Sequence, residues 1–401
     1  MSTRFIGKDY VRICLCNMLL FFSFQMMLPT IPVYLRDSGG DQSQIGAVIS
    51  IITFAAVLIR LFTGYALDHW NRKVIVAAGS IVFVLAAAAY PFYPLAGWMI
   101  GCSIWIGIGW GILTVSYATL VSDLIPPGRQ GAGIGTFMLF AMASMAAGPF
   151  AGGWIYGRFG SAVLFGTASL IALLSLLLFL SGKSANANAS SPQPTGKKPA
   201  LLSGILERSS LFPAALLMLY TFCYGGIISF AGLYGQALGV ANSGLFFLLS
   251  SAASMLVRPV AASLFDTKGH PTVLVPGIVL GIIALFALSA AAGPMLYIIA
   301  SVLYGLSFGS VQPYLLAWTM QRARPDRRGA ASSTFLIGMD SGIALGSIAL
   351  GIWSGAIGYA TMFRGSGVIL VCLLAIYSIS LFHTGRLRHQ AHTGRAESET
   401  G

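Results

Sequence analysis

Asp340 is the one acidic residue deep inside a long apolar run of this chain, in Phe335-Leu-Ile-Gly338-Met-Asp340-Ser341-Gly342. A charge at the middle of a lipid-embedded helix costs about 2.5–3.5 kcal/mol on insertion scales, so an acid kept there marks a function. The chemistry open to it is proton uptake and release as its surroundings alternate between wet and dry. Gly338, Gly342 and Gly346 recur at every fourth position around it, giving one face smooth enough for a second helix to pack or slide. Arg60 and Arg258 lie near the ends of other apolar runs and are expected to snorkel and bond helix carbonyls. No catalytic constellation competes. There is no Gly-x-x-x-x-Gly-Lys-Ser/Thr phosphate loop and no His-Glu-x-x-His pair, so neither an enzyme nor ATP drive is expected. No cofactor or metal site is expected either. Cys14, Cys16, Cys102, Cys223 and Cys372 are scattered through apolar runs and read as packing, and His383, His389 and His392 lack a fixed ligand geometry.

The elements that must position Asp340 follow from composition. The 401 residues are 56% hydrophobic and only 8% charged, against about 25% charged in soluble domains. Twelve apolar runs recur, at about 10–35, 44–66, 74–93, 97–121, 132–156, 162–181, 211–234, 243–264, 272–292, 295–319, 331–354 and 360–382. Each matches the roughly 20 residues that cross about 30 Å of hydrocarbon as a helix. The net charge of +12 is laid out by side. Eighteen Lys and Arg fall on the side that carries both termini in an even-span topology. Arg36, Arg158 and Arg364 are the three opposite. That bias places both termini in the cytoplasm of a plasma (bacterial inner) membrane, and it orients the protein instead of recruiting nucleic acid.

Residues 60–153 and 258–351 superpose at a constant offset of 198 without a gap: Arg60 on Arg258, Asp68 on Asp266, Gly107 on Gly305, Gly148 on Gly346, Gly153 on Gly351. A repeat of this length means two homologous membrane halves with a pathway between them. The expected division is a six-helix bundle over 1–182, a Ser/Asn/Pro/Lys-rich linker over 183–210, a second bundle over 211–383 and a polar tail without order over 384–401.

The loop after the second run reads Gly64-Tyr-Ala-Leu-Asp68-His-Trp-Asn71-Arg72-Lys73, and Asp123 ends the fourth run. This resembles the major facilitator superfamily, with Asn71 where Gly is usual and His69 where a basic residue is usual. The resemblance implies two bundles related by a pseudo-twofold, with Gly64, Asp68, Arg72, Lys73 and Asp123 as a conformational latch and Asp123 meeting Arg72 or Lys73. The second copy keeps Asp266 but has His270 and Pro271 in place of the basic pair, so it forms a weaker latch. In the fifth run Ala147-Gly148-Pro149-Phe150-Ala151-Gly152-Gly153 resembles the Gly-Pro-x-x-Gly-Gly antiporter motif of drug:proton antiporters. There Pro149 bends the helix, and Gly148, Gly152 and Gly153 permit close contact that is expected to seal the cytoplasmic path. Ser103 stands where those antiporters often have an arginine, and the first run has no acid, which leaves Asp340 as the proton-coupling group.

Polar, aromatic and flexible residues on the apolar runs sketch a cavity: Gln25, Tyr34, Tyr117, Met138, Met142, Tyr220, Tyr224, Gln312, Tyr314 and Trp318. Rings, amides and one acid suit a moderately polar or cationic amphiphile. The reading is an all-α, twelve-helix membrane protein, a monomer that exports a small organic molecule (a drug, metallophore or metabolite) against protons. An uptake carrier of the same fold and a non-transporting membrane receptor are the alternatives. The latch asymmetry is directly testable: at matched expression Asp68→Asn should cut transport severely while Asp266→Asn costs much less, and equal losses would contradict it.

Overall fold

In lipid each backbone amide must be satisfied within its own segment, and the chain is helical throughout, with no strand among the described residues. The structure, a computed structural model, describes residues 7–93, 95–125, 130–182, 207–323 and 328–399. Helix α1 (Lys8–Met27) breaks at Pro29 and resumes as the short α2 (Ile31–Asp37). Helix α3 (Gln42–His69) opens on a capping box, Asp41 Oδ1 accepting from the Gln44 amide at 2.7 Å and the Gln44 side chain accepting from the Asp41 amide at 3.1 Å. Asn71 caps α4 (Arg72–Ala89) by accepting from the Lys73 amide, a role the usual glycine lacks a side chain to fill. Then come α5 (Ala96–Leu124) and α6 (Gln130–Leu180). The second half holds α7 (Leu211–Ala237), α8 (Leu245–Lys268), α9 (Pro271–Ser289), α10 (Pro294–Arg322) and α11 (Arg328–Glu399).

Ten of these units are long and apolar enough to span a membrane, counting α1 with α2 as one. Two of them, in α6 and α11, are about double length, and each is broken by a glycine at positive φ: Gly160 (81°) and Gly358 (78°). Only a residue without a Cβ adopts this backbone freely, and the two glycines are themselves 198 apart. Split there, the described residues supply twelve segments in place of ten. The linker expected at 183–210 falls outside the described residues except for Glu207–Ser210, where a short 3₁₀ turn leads into α7. Beyond residue 383 the sequence was read as an unordered tail, but the backbone remains helical to Glu399, in a segment whose Arg, Leu, Gln, Ala and Glu residues are good helix formers.

The repeat is visible in the packing. A Cβ at Gly107 would strike the Ile52 carbonyl and one at Gly305 the Ser250 carbonyl, so α5 lies on α3 as α10 lies on α8. The seam between halves is built from α3 against α11 and α6 against α8. At the end opposite the termini it is closed backbone to backbone. A Cβ on Gly46 would run into the Ser347 carbonyl and one on Gly244 into the Pro149 carbonyl. Asn242 Nδ2 donates to the Phe150 carbonyl at 3.1 Å, and Arg36 donates to Gln236 Oε1 at 2.8 Å. Nearer the termini on the same helix α3, a Cβ at Gly64 would meet no described atom within 4 Å. Among the described residues, the backbone-to-backbone contacts between the halves therefore gather at the end opposite the termini. Gly244→Leu should wedge that end apart, because backbone cannot yield as a side chain does. In a cysteine-free background, a reporter cysteine at Ser251 should then react faster with a membrane-impermeant maleimide added from the side opposite the termini; unchanged labelling would refute the seal.

Candidate functional site

Across the seam, Arg60 of α3 donates through Nη1 to Asp340 Oδ2 of α11, and Asp340 is only 6% exposed. The other described ion pairs, Arg12–Asp9, Arg36–Asp37 and Arg72–Asp123, each lie within the first half. Arg60–Asp340 is thus the ion pair that joins the halves among the described residues. Sequence reasoning expected Arg60 to bond carbonyls. It missed the pairing because the two residues are 280 positions apart and only the packing of α3 on α11 brings them together.

The pair borders a cavity of about 430 Å³, partly open to solvent and lined also by Phe24, Leu28, Ile49, Ile52, Thr53, Ala56, Trp110, Ile228 and Ile343. A second cavity, of about 510 Å³ and partly open to solvent, is lined by Gln25, Met142, Met145, Tyr224, Phe247, Ser250, Ser251, Ser254, Met255, Arg258, Tyr304 and Phe308. The two are repeat mates at the 198 offset: Phe247 for Ile49, Ser250 for Ile52, Ser251 for Thr53, Ser254 for Ala56, Arg258 for Arg60, Phe308 for Trp110, Met142 for Asp340 and Met145 for Ile343. Arg258 accordingly meets Met142 where Arg60 meets Asp340, its Nη1 lying 2.9 Å from the Met142 sulfur.

Of the ten residues expected to line a cavity, Gln25, Met142 and Tyr224 do so. The others border neither of these two cavities. Tyr34 packs on Tyr90, Tyr156 and Phe165; Tyr117 bonds Ser175; Tyr220 bonds Ser307. Trp318 stacks on His270 near the terminus-side end, and Met138 is exposed. Gln312 lies beside Met339. Tyr314 donates to the Arg258 carbonyl at 2.9 Å and so supports the cavity from behind. Aromatic rings on helices are as good at knitting a bundle as at lining its lumen, and composition does not tell which face they occupy. The signal that finds the cavity is the repeat, since its serines and arginine have mates on the other side of the axis.

In the terminus-side loop region Arg72 of α4 donates to Asp123 at the end of α5 and to the Leu67 carbonyl. The Asp68 side chain lies outside the described residues, Lys73 bonds Asn71 through its backbone amide, and Asp266 is exposed. In the second copy His270 bonds the Tyr377 hydroxyl at 2.6 Å. Gly64, expected as part of the latch, has open surroundings, and no helix packs on it in this conformation. The glycines of the Gly-Pro motif divide their work. A Cβ at Gly148 would press on Gln25 of α1 and one at Gly152 on the Met26 carbonyl, whereas Pro149 and Gly153 face α8 through Gly244 and Asn242. These contacts lie at the end opposite the termini, not on the cytoplasmic path as the sequence reading had it, because α6 is already more than halfway across when it reaches Pro149.

The description of the Major Facilitator Superfamily matches residues 13–347, most of the chain. The chain belongs to the Major Facilitator Superfamily. Among its relatives, the "Multi-drug resistance efflux pump PmrA" of Streptococcus pneumoniae is 25% identical over 95% of this chain and 98% of its own. The "Staphylopine export protein" of Staphylococcus aureus is 21% identical over 89% and 92% respectively. A crystal structure of a peptide transporter POT variant superposes with a TM-score of 0.78 at 15% identity, over 94% of this chain and 96% of that one.

As a superfamily member this is a multi-pass membrane transporter of small molecules, not an enzyme. Within such a fold a buried pair that crosses the seam has a measurable coupling. Removing one partner strands the other in low dielectric, whereas removing both does not. In a thermal-stability cycle, Arg60→Gln and Asp340→Asn together should destabilise less than the sum of the singles, with a coupling of roughly 1–3 kcal/mol. Strict additivity would show that the pair contributes nothing to the seam.

Proposed function

We propose that this transporter exports a small organic molecule in exchange for protons, working as a monomer in the bacterial inner membrane with both termini in the cytoplasm. The observation that carries the reading is the Arg60–Asp340 pair across the seam. Protonating Asp340 removes the charge that holds Arg60, so proton binding and the packing of α3 on α11 become one equilibrium. With the termini cytoplasmic, the closed end faces outward and substrate enters from the cell at the other end. The ion-paired state is then the one from which a proton has left inward. Substrate binding drives closure of the terminus side, where Arg72 and Asp123 tie the start of α4 to the end of α5, and protonation of Asp340 from outside resets the cycle. Export as the direction is supported by the Gly148-Pro149 motif and by relatives named for efflux and export.

The test has two arms. Cells carrying the gene, compared with empty-vector cells over a panel of amphiphiles, drugs and metal chelates, should hold less of the recognised compound, and a protonophore should raise that level. Higher accumulation that a protonophore lowers would establish uptake. In proteoliposomes, Asp340→Asn that remains monodisperse should lose substrate-driven proton flux. Parental flux from that variant would remove Asp340 from the coupling.

A further inference from the structure

The two repeat-related cavities differ in one electrostatic respect. In the first, Asp340 neutralises Arg60. In the second, the repeat mate of Asp340 is Met142, and Arg258 makes no ion pair among the described residues. Its Nη1 has a thioether for a neighbour, a weak acceptor, and its Nε is buried without a hydrogen-bond partner. The buried hydroxyl of Tyr304, on the wall of the same cavity, also has none. No other lining residue carries a charge. A guanidinium kept inside a membrane protein without a counter-ion is costly unless something completes it. Around it the wall is a ring cluster, with Tyr224 and Phe308 centroids 4.8 Å apart, and Gln25 adds an amide.

We propose that the second cavity binds the carboxylate of an aromatic or amphiphilic acid on Arg258, so that the substrate supplies the negative charge that Asp340 supplies in the sister cavity. The carboxylate takes the guanidinium in a charge-assisted contact where Met142 now sits, and the apolar body lies against Tyr224 and Phe308. This rests on the reading of the protein as a substrate transporter, and it replaces the cationic amphiphile expected from composition: the only charge on the cavity wall is itself positive. The repeat also prescribes how to close the site from within. Met142→Asp puts a carboxylate at the position equivalent to Asp340, where it should pair with Arg258 and exclude an external acid.

Binding is measured on the full chain in nanodiscs of zwitterionic lipid, so that no anionic headgroup competes. The probes are aromatic acids of increasing size, from benzoate through 2-naphthoate to pyrenebutyrate, each beside its primary amide. The wild type should prefer at least one acid over its amide by about tenfold or more. Arg258→Gln should abolish the preference, Arg258→Lys should retain part of it, and Met142→Asp should abolish it while the protein stays monodisperse. A second preparation containing anionic lipid should show the preference reduced if headgroups share the site and unchanged if only free acids enter; both results uphold an anion site. No acid preference in any pair, or a preference that survives both Arg258→Gln and Met142→Asp, overturns the proposal. The assay needs neither flux nor a proton gradient. Acid preference without transport would sink the exporter reading alone, and transport without acid preference would sink this site alone.

Discussion

Arg60 and Asp340 reach each other from helices of different halves, and neither could be left in the seam alone without a desolvation cost of several kcal/mol. Their contact therefore ties two things that need not otherwise be linked, the protonation of one carboxylate and the register of α3 against α11. Packing around the pair is arranged to make that tie matter. Toward the end opposite the termini, Gly46 and Gly351 let α3 and α11 approach closely enough for Ser50 to donate to the Ala344 carbonyl at 2.5 Å. Toward the termini the same helix has open space at Gly64. The ion pair stands between a part of the seam held by backbone contact and a stretch of α3 with open space beside Gly64, which is where a change of charge can be converted into a change of shape.

The pseudo-twofold explains much of what looks idiosyncratic in either half. The glycine break at Gly160 recurs at Gly358, the α5-on-α3 contact recurs as α10-on-α8, and Gly46 on Ser347 recurs as Gly244 on Pro149. Duplication supplies two equivalent cavities, and divergence of a few side chains then gives them different work. Isoleucine, alanine and tryptophan surround a self-neutralised ion pair in one. Serines and phenylalanine surround a guanidinium without a counter-ion in the other. The Gly-Pro motif belongs to this scheme as a two-sided spacer. Gly148 and Gly152 bring α6 onto α1 within a half, and Pro149 and Gly153 bring it onto α8 across the seam.

Much of this was legible in the chain. Twelve apolar runs, the constant offset and the lopsided distribution of Lys and Arg determine a two-half helical membrane protein, because lipid leaves the backbone no other way to satisfy its amides and repeated sequence must fold repeatedly. Asp340 stood out for the same reason, as a charge has no cheap place in hydrocarbon. What the sequence by itself did not determine was partnership. Asp340 takes Arg60, Arg258 is left to Met142, Tyr117 and Trp318 point into bundles instead of a lumen, and the Gly-Pro motif closes the far end. Each of these depends on how helices distant in sequence are rotated and crossed against one another. That rotation is decided by the sum of many small packing contacts over whole helix faces, which no local spacing encodes.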